Sequence, residues 1–181
     1  MSSKLPLHDL ITAALLCAIG IVIPMFSPVK ILLEPASFTL ASHVPVFIAM
    51  FLSPPIALAV ALGTSLGFFF GGFPLVVVVR ALTHCVFATV GALFLKKQTD
   101  LLPSAVKASA FFFCIALLHG TCEVLAVAPF YFDNSMAQGY YNRGFLVSVI
   151  LLVGVGTVVH SLIDAYIALL IWRPLSKLRT T

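Results

Sequence analysis

Residues 74–95 read PLVVVVRALTHCVFATVGALFL, and the fold turns on how this stretch is read. At about 1.5 Å per residue it makes a helix about 33 Å long, enough to cross a hydrocarbon core of about 30 Å. A helix packed on a water-soluble domain would keep a charged stripe toward solvent. This one is apolar on all sides except at Arg80 and His84. The rest of the chain has the same character. Of its 181 residues, 61% are hydrophobic and 9% charged, with ten Lys and Arg against six Asp and Glu. Soluble domains carry about 25% charged residues. A surface this poor in charge faces lipid, which excludes a soluble enzyme, a nucleic-acid-binding module and a disordered chain. The expected class is an all-α integral membrane protein in which residues 1–181 form one domain.

Runs of about 20 apolar residues predict six helices, at 9–26, 36–52, 56–71, 74–95, 107–127 and 146–172. The breaks fall at Pro28, at Ser53-Pro54-Pro55, at Gly71-Gly72-Phe73-Pro74, at the polar stretch 96–100 with Pro103, and at Pro129. Tyr131, Tyr140 and Tyr141 in the last long loop suit a membrane interface. With both termini in the cytoplasm, Lys4, Lys96, Lys97, Lys107, Arg173, Lys177 and Arg179 fall inside. Lys30 and Arg143 fall outside, so the positive-inside bias favours that orientation. The basic excess thus reflects topology, and no nucleic-acid partner is expected. Cys17, Cys85, Cys114 and Cys122 all lie in apolar runs and form no CxxC pair, which predicts small packing residues. The run from Leu10 to Phe26 is too long for a cleavable signal.

Ionisable groups inside spans cost on the order of 3 kcal/mol each and require partners or a function. Arg80 and His84 share one face of helix 4, and His119 and Glu123 share one face of helix 5, each pair four apart. Counted from the outer helix ends, Arg80 lies about 9 Å deep, His84 about 15 Å, His119 about 12 Å, Glu123 about 6 Å and His43 about 10 Å. Three helices therefore bring their least lipid-compatible residues to one level in the outer half of the membrane. That level predicts an outward-open pocket for a small polar or anionic molecule. Arg80 would hold a carboxylate and the imidazoles would bond ring or hydroxyl atoms. Separately, Arg80 could snorkel outward, His119 and Glu123 could join only each other, and His43 could serve packing. His160 and Asp164, also four apart, are read as an internal structural or gating pair at the middle and inner half. Helix 1 carries a small-xxx-small face at Ala14 and Ala18, suited to close approach by another helix. The small residues Ala57, Ala59, Ala61, Gly63, Ser65 and Gly67 of helix 3 suit packing within the bundle.

Three further segments, Phe38-Thr39-Leu40-Ala41-Ser42-His43-Val44-Pro45, Gly72-Phe73-Pro74 and Arg80-Ala81-Leu82-Thr83-His84, join these features. Over nearly its whole length the chain resembles a substrate-binding S component of an energy-coupling-factor vitamin transporter, most closely the niacin and small-vitamin branch. The resemblance implies capture of a water-soluble vitamin from outside, niacin first, with pantothenate, pyridoxine or hydroxymethylpyrimidine next. It also implies that Ala14 and Ala18 dock a transmembrane coupling subunit driven by two cytoplasmic ATPases. The loaded bundle would topple in the membrane as ATP is cycled. The chain has no GxxxxGK[ST] of its own, so ATP belongs to those partners and no cofactor is expected here. The resemblance excludes a nickel or cobalt member, because His8 lies too far from the N-terminus. Two alternatives remain. One is an intramembrane metal-dependent enzyme, with His119 and Glu123 joining His84 or His43 around a metal; against it, helix 5 offers His-x-x-x-Glu rather than HExxH and no second His on that face, so no metal is expected. The other is a stand-alone secondary transporter, which would call for inverted repeats or paired broken helices.

Overall fold

The apolar runs fold as helices in the computed structural model, which describes residues 6–33 and 36–178. In chain order they are α1 (Leu7–Phe26), a hairpin of β1 (Lys30–Leu33) and β2 (Ala36–Thr39), α2 (Val44–Leu52), α3 (Pro54–Phe70), α4 (Leu75–Lys97), α5 (Ala105–Phe132) and the short α6 (Gly139–Asn142). A π-helical segment, Leu146–Val155, then runs directly into α7 (Gly156–Leu178). Four of these helical stretches are long and apolar enough to cross a bilayer: α1, α4, α5 and the continuous Leu146–Lys177. The fold is all-helical apart from the hairpin, and the protein is a multi-pass membrane protein. Lys4 and Arg179, used above to orient the chain, lie outside the described residues.

Helix 2 departs most from expectation. Residues 36–39 are not its first turn but a strand, paired antiparallel with β1 from Lys30↔Thr39 to Leu33↔Ala36. The helix begins only at Val44, with Pro45 in its first turn. Proline is preferred there, because its fixed φ suits the helix and an N–H at that position would have no helical partner. Between strand and helix, Ala41 takes a left-handed φ of 67°. Nine residues of α2 reach about 14 Å, under half the hydrocarbon thickness. The other boundaries shift less. Pro129 lies inside α5, which continues to Phe132, since a proline in the last turn forfeits one hydrogen bond without stopping the helix. The last helix likewise runs past 172, through Pro174 to Leu178.

Lipid tails are as apolar as leucine, so packing contacts and close backbone approach hold such a bundle together. The small residues of α3 serve that role: a Cβ on Gly63 would strike Cys17, and one on Gly67 would strike Ile21, both on α1. On α1 the small residues divide. Ala13, Leu16 and Gly20 are buried against the bundle, whereas Ala14 and Ala18 face outward beside Leu15 and Ile19. Phe47, Phe87 and Phe112 form a fully buried aromatic layer, with Phe51 and Trp172 stacked beyond it. At that end of the bundle Asp9, Ser53 to Pro55 and Lys96 border one crevice. Across the neighbouring turn Lys107 pairs with Asp100 and holds its carboxyl below the usual range.

Candidate functional site

The opposite end holds a cavity of about 250 Å³, bordered by the strand and turn that precede α2. Phe38 and Thr39 of β2, His43 at the start of α2, Arg80 and His84 of α4, and His160 of α7 are among the residues that line it. Backbone that is not helical is tolerated at membrane depth only when buried in protein or lining such a cavity. Here the exposed N–H groups find a remote acceptor. Asp164 accepts from the Ala41 amide at 2.8 Å through Oδ1, and from the His43 amide at 2.9 Å through Oδ2. The same Oδ2 lies 3.1 Å from both His43 Nδ1 and His160 Nε2. Ser42 Oγ is 3.1 Å from His160 Nε2. Asp164 is fully buried, and three of its four contacts, to the Ala41 amide and to the amide and ring of His43, hold the strand-to-helix turn.

A second carboxylate, Glu123, lies on the other side of His43. Its Oε2 accepts from Arg80 Nε at 3.0 Å, Arg80 Nη2 at 2.7 Å and Thr157 Oγ1 at 2.6 Å. Its Oε1 has only looser neighbours, His119 Nε2 at 3.4 Å and His84 Nε2 at 3.8 Å. His119 is wholly buried. Its Nδ1 meets Ser161 Oγ at 3.2 Å, but its Nε2 has no hydrogen-bond partner among the described residues. Arg80 spends Nε and Nη2 on Glu123, leaving Nη1 on a side chain that lines the cavity. Tyr140 of α6 lies near this pair: burial pushes its phenol up, against a weaker opposing pull from Arg80.

The imidazoles of His43, His84 and His119 stand at the corners of a triangle. Their ring centroids are 4.8, 4.9 and 4.9 Å apart, and each pair is within 15° of perpendicular. His160 packs against His43 from the far side, at 4.8 Å. Below the triangle Phe87 lies 4.2 Å from His119, so the aromatic layer forms the floor.

The five residues singled out from the sequence, Arg80, His84, His43, His119 and Glu123, therefore converge. Arg80 neither snorkels nor stands free, since it is locked to Glu123, and His119 and Glu123 do more than join each other. His160 is placed differently from the reading above. It lines the cavity beside His43, while its partner Asp164 is structural. Thr157 and Ser161 were not anticipated. Their signal lies in Thr157-x-x-His160-Ser161-x-x-Asp164, a polar stripe at helical spacing on an otherwise apolar helix.

Comparison with models of protein families finds no match, and no solved structure matches the chain. Among curated proteins, the niacin transporter NiaX of Lactococcus lactis subsp. cremoris (strain MG1363) is 43% identical over 176 residues, covering 97% of this chain and 78% of that protein. A half-open cavity lined by ionisable side chains and aromatic rings, in a lipid-facing bundle, suits a membrane transport protein that takes a small molecule. With identity at this level along almost the entire chain, it belongs to the family of NiaX, the niacin-type branch of the energy-coupling-factor S components.

Proposed function

We propose that this chain is the substrate-specific, membrane-embedded subunit of an ATP-driven energy-coupling-factor importer, and that it captures nicotinate from outside the cell. The observation that carries the reading is the cavity: one guanidinium with Nη1 left over, a set of imidazoles and three aromatic rings around about 250 Å³. Nη1 of Arg80 bonds the solute carboxylate, a charge-assisted contact strengthened by the dry surroundings. Phe38, Phe68 and Phe73 offer faces to a flat ring. His84 and His160 supply hydrogen bonds to its edge. Residues 1–181 act as one domain of six membrane-embedded helices, both termini in the cytoplasm and the cavity toward the outside. The outward-facing Ala14 and Ala18 dock the coupling subunit, which two cytoplasmic ATPases drive. The chain itself catalyses no reaction.

Calorimetry on the purified chain in detergent tests this. Nicotinate is expected to bind with one site per chain. Nicotinamide, pyridoxine and hydroxymethylpyrimidine, which lack a carboxylate, are expected to bind at least about 100-fold more weakly, since a site built for a charge-assisted bond discriminates by roughly 3 kcal/mol. Pantothenate keeps the carboxylate but has no flat ring for the phenylalanines, and is expected to bind more weakly than nicotinate for that reason. Equal affinity for nicotinamide, which has no carboxylate, would refute the role of Arg80, and no heat with any of the five would refute vitamin capture.

A further inference from the structure

We infer that His43, His84, His119 and Glu123 form a binding site for a divalent transition metal of the zinc class, on the wall of the cavity. Four ligand atoms from these residues lie within 4.8 Å of one another. They come from the start of α2, from α4 and from α5, so counting ligands along one helix could not find them. Zinc–nitrogen bonds of about 2.0–2.1 Å at tetrahedral angles put imidazole centroids about 5 Å apart around one ion. The observed triangle, 4.8 to 4.9 Å on each side, has that size. The carboxylate fits as well: ligand atoms in such a site stand about 3.3 Å apart, and Glu123 Oε1 is 3.4 Å from His119 Nε2.

The outer contacts select which nitrogens remain for an ion. Metal-binding histidines almost always give their second ring nitrogen to a carboxylate, carbonyl or hydroxyl that fixes the ring. His43 Nδ1 meets Asp164, His119 Nδ1 meets Ser161, and Glu123 Oε2 is held by Arg80 and Thr157. In each residue the other donor atom is left facing the shared centre. A buried imidazole nitrogen without a partner costs about 1–3 kcal/mol; His119 Nε2 is such an atom. The neighbouring trio His43, His160 and Asp164 also has ligand spacing. Its facing atoms are already in contact, His43 Nδ1 and His160 Nε2 each lying 3.1 Å from Asp164 Oδ2.

Charge supports the same assignment, and this argument alone rests on the anionic solute proposed above. The cavity lining carries one guanidinium and one carboxylate, Arg80 and Glu123, whose charges cancel against each other. A divalent ion beside them would make the wall positive for an approaching anion.

The test uses zinc alone, so that its outcome is independent of the vitamin. Untagged protein in detergent is stripped with chelator, incubated with Zn²⁺, desalted and assayed for metal and for its thermal transition. About one zinc per chain is expected. Co²⁺ in its place is expected to show the intense visible bands of four-coordinate cobalt. His84→Asn and His119→Asn should each reduce retained zinc at least about 10-fold, and Ser161→Ala, which removes only the group positioning His119, should weaken affinity about 10- to 100-fold. Ser161→Ala also decides the matter if the histidine variants fail to fold. Folded wild-type protein that retains no zinc would overturn the proposal. So would a stoichiometric zinc whose affinity is unchanged in Ser161→Ala and in every histidine variant that folds.

Discussion

Asp164 and Glu123 are both buried carboxylates in the same half of the bundle, yet their surroundings differ in kind. Asp164 accepts from two backbone amides and touches two imidazoles, and all but the contact with His160 brace the break in the chain before α2. Glu123 concentrates three donors on one oxygen and leaves the other facing two imidazoles at 3.4 and 3.8 Å. A carboxylate whose bonds are complete belongs to the architecture. One that is half-committed, beside an unpartnered ring nitrogen, has an acceptor to spare on the cavity side.

Arg80→Ala attacks the contrast most directly. Losing the guanidinium strands a buried charge, at a cost of about 3–5 kcal/mol. The thermal transition in detergent should fall sharply, and nicotinate binding should vanish. Adding Glu123→Gln should restore much of the stability but not the binding; binding by the double variant would show that Arg80 does not contact the solute. Asp164→Asn comes next. It weakens charge-assisted bonds worth about 1.5–3 kcal/mol. Its signature should be faster amide exchange at Ala41 and His43, and unchanged exchange there would mean that the turn does not depend on this side chain. Ser161→Ala, at about 1 kcal/mol, should barely move the melt while it weakens retained zinc. A large loss of stability would move the His119 side of the cavity into the architectural class. Ala14→Trp should leave both clusters intact, with nicotinate affinity within about twofold, yet abolish uptake in cells that supply the coupling module, because the bulky ring blocks close helix approach. Normal uptake would remove the docking assignment.

Most of the helical layout was legible because lipid demands long apolar runs, and those of α1, α3, α4 and α5 are bounded by Pro, Gly or charge. The start of α2 was not legible. The left-handed Ala41 gives its amide to Asp164, 123 positions further along, and nothing local marks that bond. Pro45 was the available sign that the helix begins late. The level of Arg80, His84, His119, Glu123 and His43 emerged from a rise of about 1.5 Å per residue. His160 came out too deep by the same count because Leu146–Val155 is wound as a π-helix, which advances less per residue. The pairing of Arg80 with Glu123, and the triangle of rings, required knowing which helices are neighbours.

The shortness of α2 bears on how much insulation separates the two sides of the membrane. A solute resting on His43 has beneath it a plug only about 14 Å deep. Phe47, Phe87 and Phe112 are fully buried around it and offer no group that could bond water or pass a proton, so what insulation this short helix gives comes from apolar packing alone.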